Sequence, residues 1–158
     1  MTVRVVPITT REQLEAAWRV RFAVFVDEQG VPAEIEVDDL DEHPTTCHVL
    51  AVDDTLESDG VVGTGRLLLD SPGHVHLGRL AVRAEHRGRG IGALVVRGLE
   101  ETALDRYATG EPAHVDLVLS AQESAMGFYR ALGYETVTGQ RYLDAGIWHQ
   151  DMSRTLTR

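Results

Sequence analysis

The sequence predicts one mixed α/β domain, an α+β arrangement of six to seven strands in a mixed sheet with about four helices packed on it. Three observations carry that reading. Apolar runs at 47–52, 61–69 and 74–82 follow one another through short polar turns, as the strands of an antiparallel meander do. A glycine-rich loop, Arg87-Gly88-Arg89-Gly90-Ile91-Gly92, then leads into Ile91, Leu94, Val95 and Leu99 at helical spacing. Beyond that helix Val115, Leu117 and Leu119 alternate, and a strand–helix–strand crossover makes parallel neighbours.

The elements follow in order. Residues 3–6 form a short strand that Pro7 ends. Thr9-Thr10-Arg11-Glu12 spells a capping box with Thr9 as cap and Glu12 reaching back. Leu14, Ala17, Trp18, Phe22 and Phe25 then recur helically to about residue 25, and Val31-Pro32 stops regular structure. Residues 34–42 carry six carboxylates and read as an acidic loop. In the strand over 75–82, Val75 and Leu77 lie on one phase of the alternation and Leu80 and Val82 on the other. A β-bulge at Gly78-Arg79 reconciles them, because a plain slip would turn every side chain over. The next helix extends to about Tyr107, and Thr109-Gly110-Glu111-Pro112 breaks it. A further helix covers 123–132 with Gly133 as its stop, and residues 134–156 supply two strands around Asp144-Ala145-Gly146.

A chain of 158 residues is of one-domain size, here 1–158, and can bury a real core. Its net charge of −10 argues against nucleic acid and favours cationic partners such as amines. No run approaches the roughly 20 apolar residues of a membrane span. The single cysteine, Cys47, fits a reducing compartment, so a cytoplasmic location is expected and a homodimer is left open. His74-x-His76 puts two imidazoles on one strand face without a third ligand, so no metal is expected.

A helix N-terminus after glycines offers unpaired N–H groups and a positive dipole end to a phosphate. Gly88, Gly90 and Ala93 meet the dinucleotide spacing, but four strands precede them and the acidic partner would fall near Asp116, inside a strand. A P-loop is excluded, since no Gly-Lys-Ser/Thr follows. Two arginines among three glycines exceed what a simple turn requires.

Leu80-Ala81-Val82 followed by Arg87 to Gly92 resembles the acetyl-CoA motif of the GCN5-related N-acetyltransferases, Arg/Gln-x-x-Gly-x-Gly/Ala. Gln122-x-x-Ala125-x-x-Phe128-Tyr129-x-x-x-Gly133-Tyr134 resembles that family's second signature, with Gln122 in place of asparagine. Arg21-Phe22-Ala23-Val24-Phe25-Val26-Asp27-Glu28-Gln29, Asp38-Asp39-x-Asp41, His48 and Gly146-Ile147-x-His149-x-x-Met152 are similar to segments of its ElaA-like group, with Trp148 where proline is common. The resemblance implies a sheet splayed at its central parallel pair and acetyl transfer to an amine in a ternary complex. The N–H groups of Arg87, Gly88, Arg89, Gly90, Ile91 and Gly92 would hold the pyrophosphate. The pantetheine arm would pair near Leu80, Ala81 and Val82 and meet Gln122.

The resemblance makes Tyr129 the general acid for the departing thiolate; the alternative is a core tyrosine bonded to a carbonyl. Glu28, Glu34, Glu36 and Asp38 are the candidate bases, Glu36 foremost, against a merely solvated loop. Arg21, Glu28, Gln29, Asp38 and His149 are the expected acceptor-site residues, although Arg21 and Gln29 equally suit bracing the loop. Cys47, in an apolar strand without an activating base, reads as a structural thiol. Two other readings remain: a synthase of autoinducer type using longer acyl donors, and a CoA-binding sensor without catalysis.

Overall fold

The computed structural model describes residues 2–158. Its strands are β1 (Val3–Pro7), β2 (Cys47–Asp53), β3 (Val61–Ser71), β4 (His74–Val82), β5 (His114–Gln122), β6 (Glu135–Thr136), β7 (Tyr142–Asp144) and β8 (Ile147–Thr157). They form one eight-stranded sheet in the order β1-β2-β3-β4-β5-β8-β6, with β7 on β8. Among the described residues, only β4 and β5 pair in parallel. The count exceeds the expected six to seven because β6 is two residues long, too short to leave an alternation in the sequence.

Four α-helices cover the sheet: α1 (Arg11–Arg21), α2 (Ala33–Glu36), α3 (Ile91–Tyr107) and α4 (Met126–Ala131). The first cap sits one residue later than expected, at Thr10. The amide oxygen of Gln13 accepts from the backbone N–H of both Thr9 (2.6 Å) and Thr10 (3.1 Å), which a Thr9–Glu12 box could not arrange. Beyond α1 the chain stays helical but widens into π turns over Phe22–Glu28, passing the predicted end at residue 25. The predicted helix over 123–132 divides into a 3-10 turn, Glu123–Ala125, and α4.

The sheet separates two apolar layers. Val75, Leu77, Leu117, Val95 and Leu99 belong to the layer under α3, and Ala17, Val20, Val24, Leu50 and Ala81 to the layer under α1. Close approach of α3 depends on Gly65, where a Cβ would stand 2.7 Å from Val95 Cγ1 and 2.8 Å from Leu99 Cδ1. The expected bulge is present. Pairing of β3 with β4 jumps from Arg66↔Gly78 to Thr64↔Ala81, so Arg79 and Leu80 together face Gly65. Arg79 takes the left-handed φ of 50° to make the extra turn. The bulge returns Leu80 and Val82 to the layer that holds Val75 and Leu77.

Parallel pairing of β4 with β5 runs from His74↔Asp116 to Leu77↔Leu119 and stops. Strand β4 continues to Val82, while β5 continues to Gln122 against β8. The sheet therefore opens into a wedge at its parallel centre, immediately before the glycine loop.

Candidate active site

A cavity of about 730 Å³ fills the wedge and reaches both faces of the sheet. On one side it meets the glycine loop and α4; on the other it meets the π turns, α2 and the β7–β8 hairpin.

Gly88 and Gly90 adopt φ of 81° and 76°, and a Cβ at either would meet nothing within 4 Å. They are required for the backbone path, and the space over them is open. The first bond into α3 is Leu94 N–H to Gly90 O, and no side chain caps the helix. Among the described residues the N–H groups of Gly88 through Ala93 thus have no protein acceptor. Six consecutive free donors at a helix start, with room above them, fit the diphosphate of a CoA thioester. The expected residues Leu80, Ala81, Val82, Arg87, Gly88, Gly90, Ile91, Gly92, Gln122 and Tyr129 all line this cavity.

Arg89 does not. Its guanidinium turns from the cavity to Asp53, 3.1 Å away, and so braces the loop rather than presenting charge to a ligand. The Thr55 hydroxyl and N–H, with Arg89 behind them, hold the Asp53 carboxyl down at about 2. Arg87 donates two bonds to Glu28, at 2.8 and 2.7 Å, and one to Val82 O. Glu28 therefore faces the cofactor loop and not the acceptor end, which corrects the expectation for it.

Tyr129 projects from α4 between Phe128 and Tyr134, with edge-on rings 5.0 and 6.0 Å away. Its hydroxyl makes no hydrogen bond to protein among the described residues, so the core tyrosine bonded to a carbonyl is not what is found. Burial pushes its phenol up to about 12, which keeps it protonated near neutrality. Gln122 bonds Gln29 at 2.8 Å, joining the end of β5 to the end of the π turns. His149 is buried in the cavity wall, stacked on Tyr142, with Nδ1 at 2.7 Å from Ile147 O.

The acidic segment departs most from expectation. It is no solvated loop: α2 and a 3-10 turn, Asp39–Glu42, carry Glu36 and Asp41 into the interior. Arg21, only 1% exposed, binds Glu36 Oε2 at 2.9 Å and both oxygens of Asp41 at 2.7 and 3.1 Å. Asp38 takes Arg66 at 2.7 Å and Arg79 at 3.3 Å. Arg21 and Asp38 are thus braces outside the cavity rather than acceptor-binding groups. Glu36 does line the cavity, but Arg79 also donates to its Oε2 at 2.9 Å, leaving only Oε1 without a protein donor. A carboxylate held by two guanidiniums suits fixing charge in place better than the free base expected of it.

Burial opposes ionisation of Asp41, yet Arg21 and Arg66 more than offset it and hold the carboxyl below the usual range. His48 sits behind this group, Nε2 at 2.9 Å from Asp41 O, and burial lowers its pKa. Cys47 is buried, with Arg106 Nη1 3.0 Å from its Sγ. His74 pairs with Asp116 and His76 with Asp70. Arg66 and Arg79 also line the cavity, and neither was an expected site residue, although Arg79 was expected at the bulge. Arg66 left a signal, being a charge in the middle of an apolar strand run.

Residues 11–156 match the acetyltransferase (GNAT) domain. The chain is 37% identical over 143 residues to the N-acetyltransferase YjcF of Bacillus subtilis, covering 90% of this chain and 93% of that protein. The structure of ElaA from Escherichia coli superposes with a TM-score of 0.80 at 26% identity, over 96% of this chain and 99% of that one. An acyl-CoA N-acyltransferase of Pseudomonas aeruginosa gives 0.79 at 28%, with the same coverage. With the splayed parallel pair, the unpaired glycine loop and these relatives, the chain belongs to the GNAT acetyltransferase family and is an acyltransferase.

Proposed function

We propose that this protein moves the acetyl group of acetyl-CoA directly to an amine, both substrates being bound together in the wedge. The row of free N–H groups from Gly88 to Ala93, opening on a cavity that crosses the sheet, is the observation that carries this reading. Bound acetyl-CoA supplies an activated thioester. In the reaction a C–N bond forms as the C–S bond breaks, the amine loses one proton and the leaving sulfur gains one. Arg87 adds charge beside the diphosphate once it leaves Glu28. Backbone of Leu80 to Val82, left unpaired by β5, flanks the pantetheine arm, and Gln122 holds its amide edge. Tyr129, protonated and without another partner, delivers the proton to sulfur.

Titration with acetyl-CoA, CoA and NADH tests the donor, and thiol release with an amine panel tests transfer. NADH binding without CoA binding would sink the proposal. Tyr129→Phe should lower kcat by about 100-fold or more while leaving acetyl-CoA affinity nearly unchanged. Unaltered turnover would remove Tyr129 from proton delivery, and activity with long-chain donors alone would favour the synthase-type reading.

A further inference from the structure

Arg66 stands in the interior of β3 at 4% exposure. Its Nη1 is committed, 2.7 Å from Asp38 and 3.1 Å from Asp41. Its Nε is the one fully buried side-chain nitrogen or oxygen among the described residues without a hydrogen-bond partner. Among the described residues no protein group accepts from Nη2 either. Arg66 lines the cavity, and Nη2, unpaired but not among the fully buried atoms, is the end of the guanidinium that a carboxylate can reach, with Nε sealed behind it. Leaving a buried charged donor unmade is costly, and packing gives no return for it.

The surrounding charges restrict what fills that edge. Arg21, Arg66 and Arg79 meet Glu36, Asp38 and Asp41, three charges of each sign bonded into one network. A simple cationic amine would leave Nη2 of Arg66 without an acceptor, and a simple anion would unbalance the cluster. A zwitterion satisfies both conditions, with Glu36 Oε1 available to its ammonium group. Val24, Phe25, Ile35 and Leu68 make the adjoining wall apolar.

We infer that the acceptor is a free amino acid with an apolar side chain, its carboxylate seated on Nη2 of Arg66. This rests on the transferase reading and narrows its acceptor class.

The test uses ¹⁵N-labelled protein and observes the arginine Nε–Hε resonance of Arg66, identified by its absence from Arg66→Lys. N-acetyl-leucine should shift that resonance saturably, and N-acetyl-leucinamide should bind about tenfold more weakly or not at all. Equal binding of the two, or no shift with either, overturns the carboxylate seat. A second measurement needs no variant. Thiol release by the wild-type protein should show kcat/KM for leucine at least about tenfold above that for isoamylamine, which lacks only the carboxylate. Equal or faster turnover of isoamylamine also overturns the inference. Carboxylate binding at Arg66 with thiol release from other amines of the panel but none from leucine would overturn the amino acid as acceptor. No thiol release from any amine would instead count against acetyl transfer to amines.

Discussion

Replacing Arg21 by Met removes a guanidinium that makes four hydrogen bonds to Glu36 and Asp41 in the protein interior. The methionine fills part of the space, so the loss is chiefly electrostatic. Removing one partner of a buried ion pair costs about 3–5 kcal/mol, because the other charge stays desolvated. Here each carboxylate keeps a second guanidinium, Arg79 for Glu36 and Arg66 for Asp41. The loss should therefore fall at the lower end, about 3 kcal/mol, or a Tm decrease of roughly 6–12 °C for a domain of this size. Urea unfolding with an unchanged m-value measures it. Combining Arg21→Met with Glu36→Gln should cost less than the separate losses together, by about 1 kcal/mol or more, since the two sites share one bond network. A single-variant loss below about 1 kcal/mol, or strict additivity, would refute the buried network as the brace of the acceptor wall.

Stability should fall with acid in two stages. Burial lowers the folded-state pKa of His48, so below its unfolded value of 6.5 the unfolded chain binds the proton preferentially and stability declines from about pH 7. The folded pKa values of Asp41 and Asp53 are depressed below 3.8, so their contribution is complete above about pH 4 and is lost as pH falls through the folded values. A flat profile between pH 7 and 5 in His48→Gln, with the lower limb retained, would separate the stages. Gly65→Ala should destabilise by about 1–3 kcal/mol, because the new methyl group meets Val95 and Leu99 at under 3 Å; chemical denaturation reads it. Glu28→Gln should tighten CoA binding by up to about fivefold in calorimetry, since it removes an exposed ion pair with Arg87 worth about 0.2–1 kcal/mol.

The glycine loop and the bulge were legible because both are local. Gly88 and Gly90 announce left-handed backbone beside a helix start, and the phase change from Leu77 to Leu80 announces an extra residue. The motif at Tyr129 pointed to the cavity because it is contiguous in the chain, running from the end of β5 through α4 to Tyr134. Arg89 escaped the reading because its partner, Asp53, lies 36 residues away at the end of β2. The acidic segment was misjudged because composition cannot report burial. Six carboxylates in nine residues look solvated, yet three arginines from α1, β3 and the bulge converge on Glu36, Asp38 and Asp41.

The sequence by itself determined the order of the longer strands and helices, the glycine turn and the helix start that offers its N–H groups, since each follows from backbone preference within a few residues. Tertiary structure alone decided where charge is spent. The eighth strand, the pairing of Glu28 with Arg87, the pinning of Glu36 and Asp38 by arginines, and the unpaired Nη2 of Arg66 all depend on contacts between distant segments. A side chain's exposure and its hydrogen-bond partners are properties of the packed chain, and no local pattern encodes them.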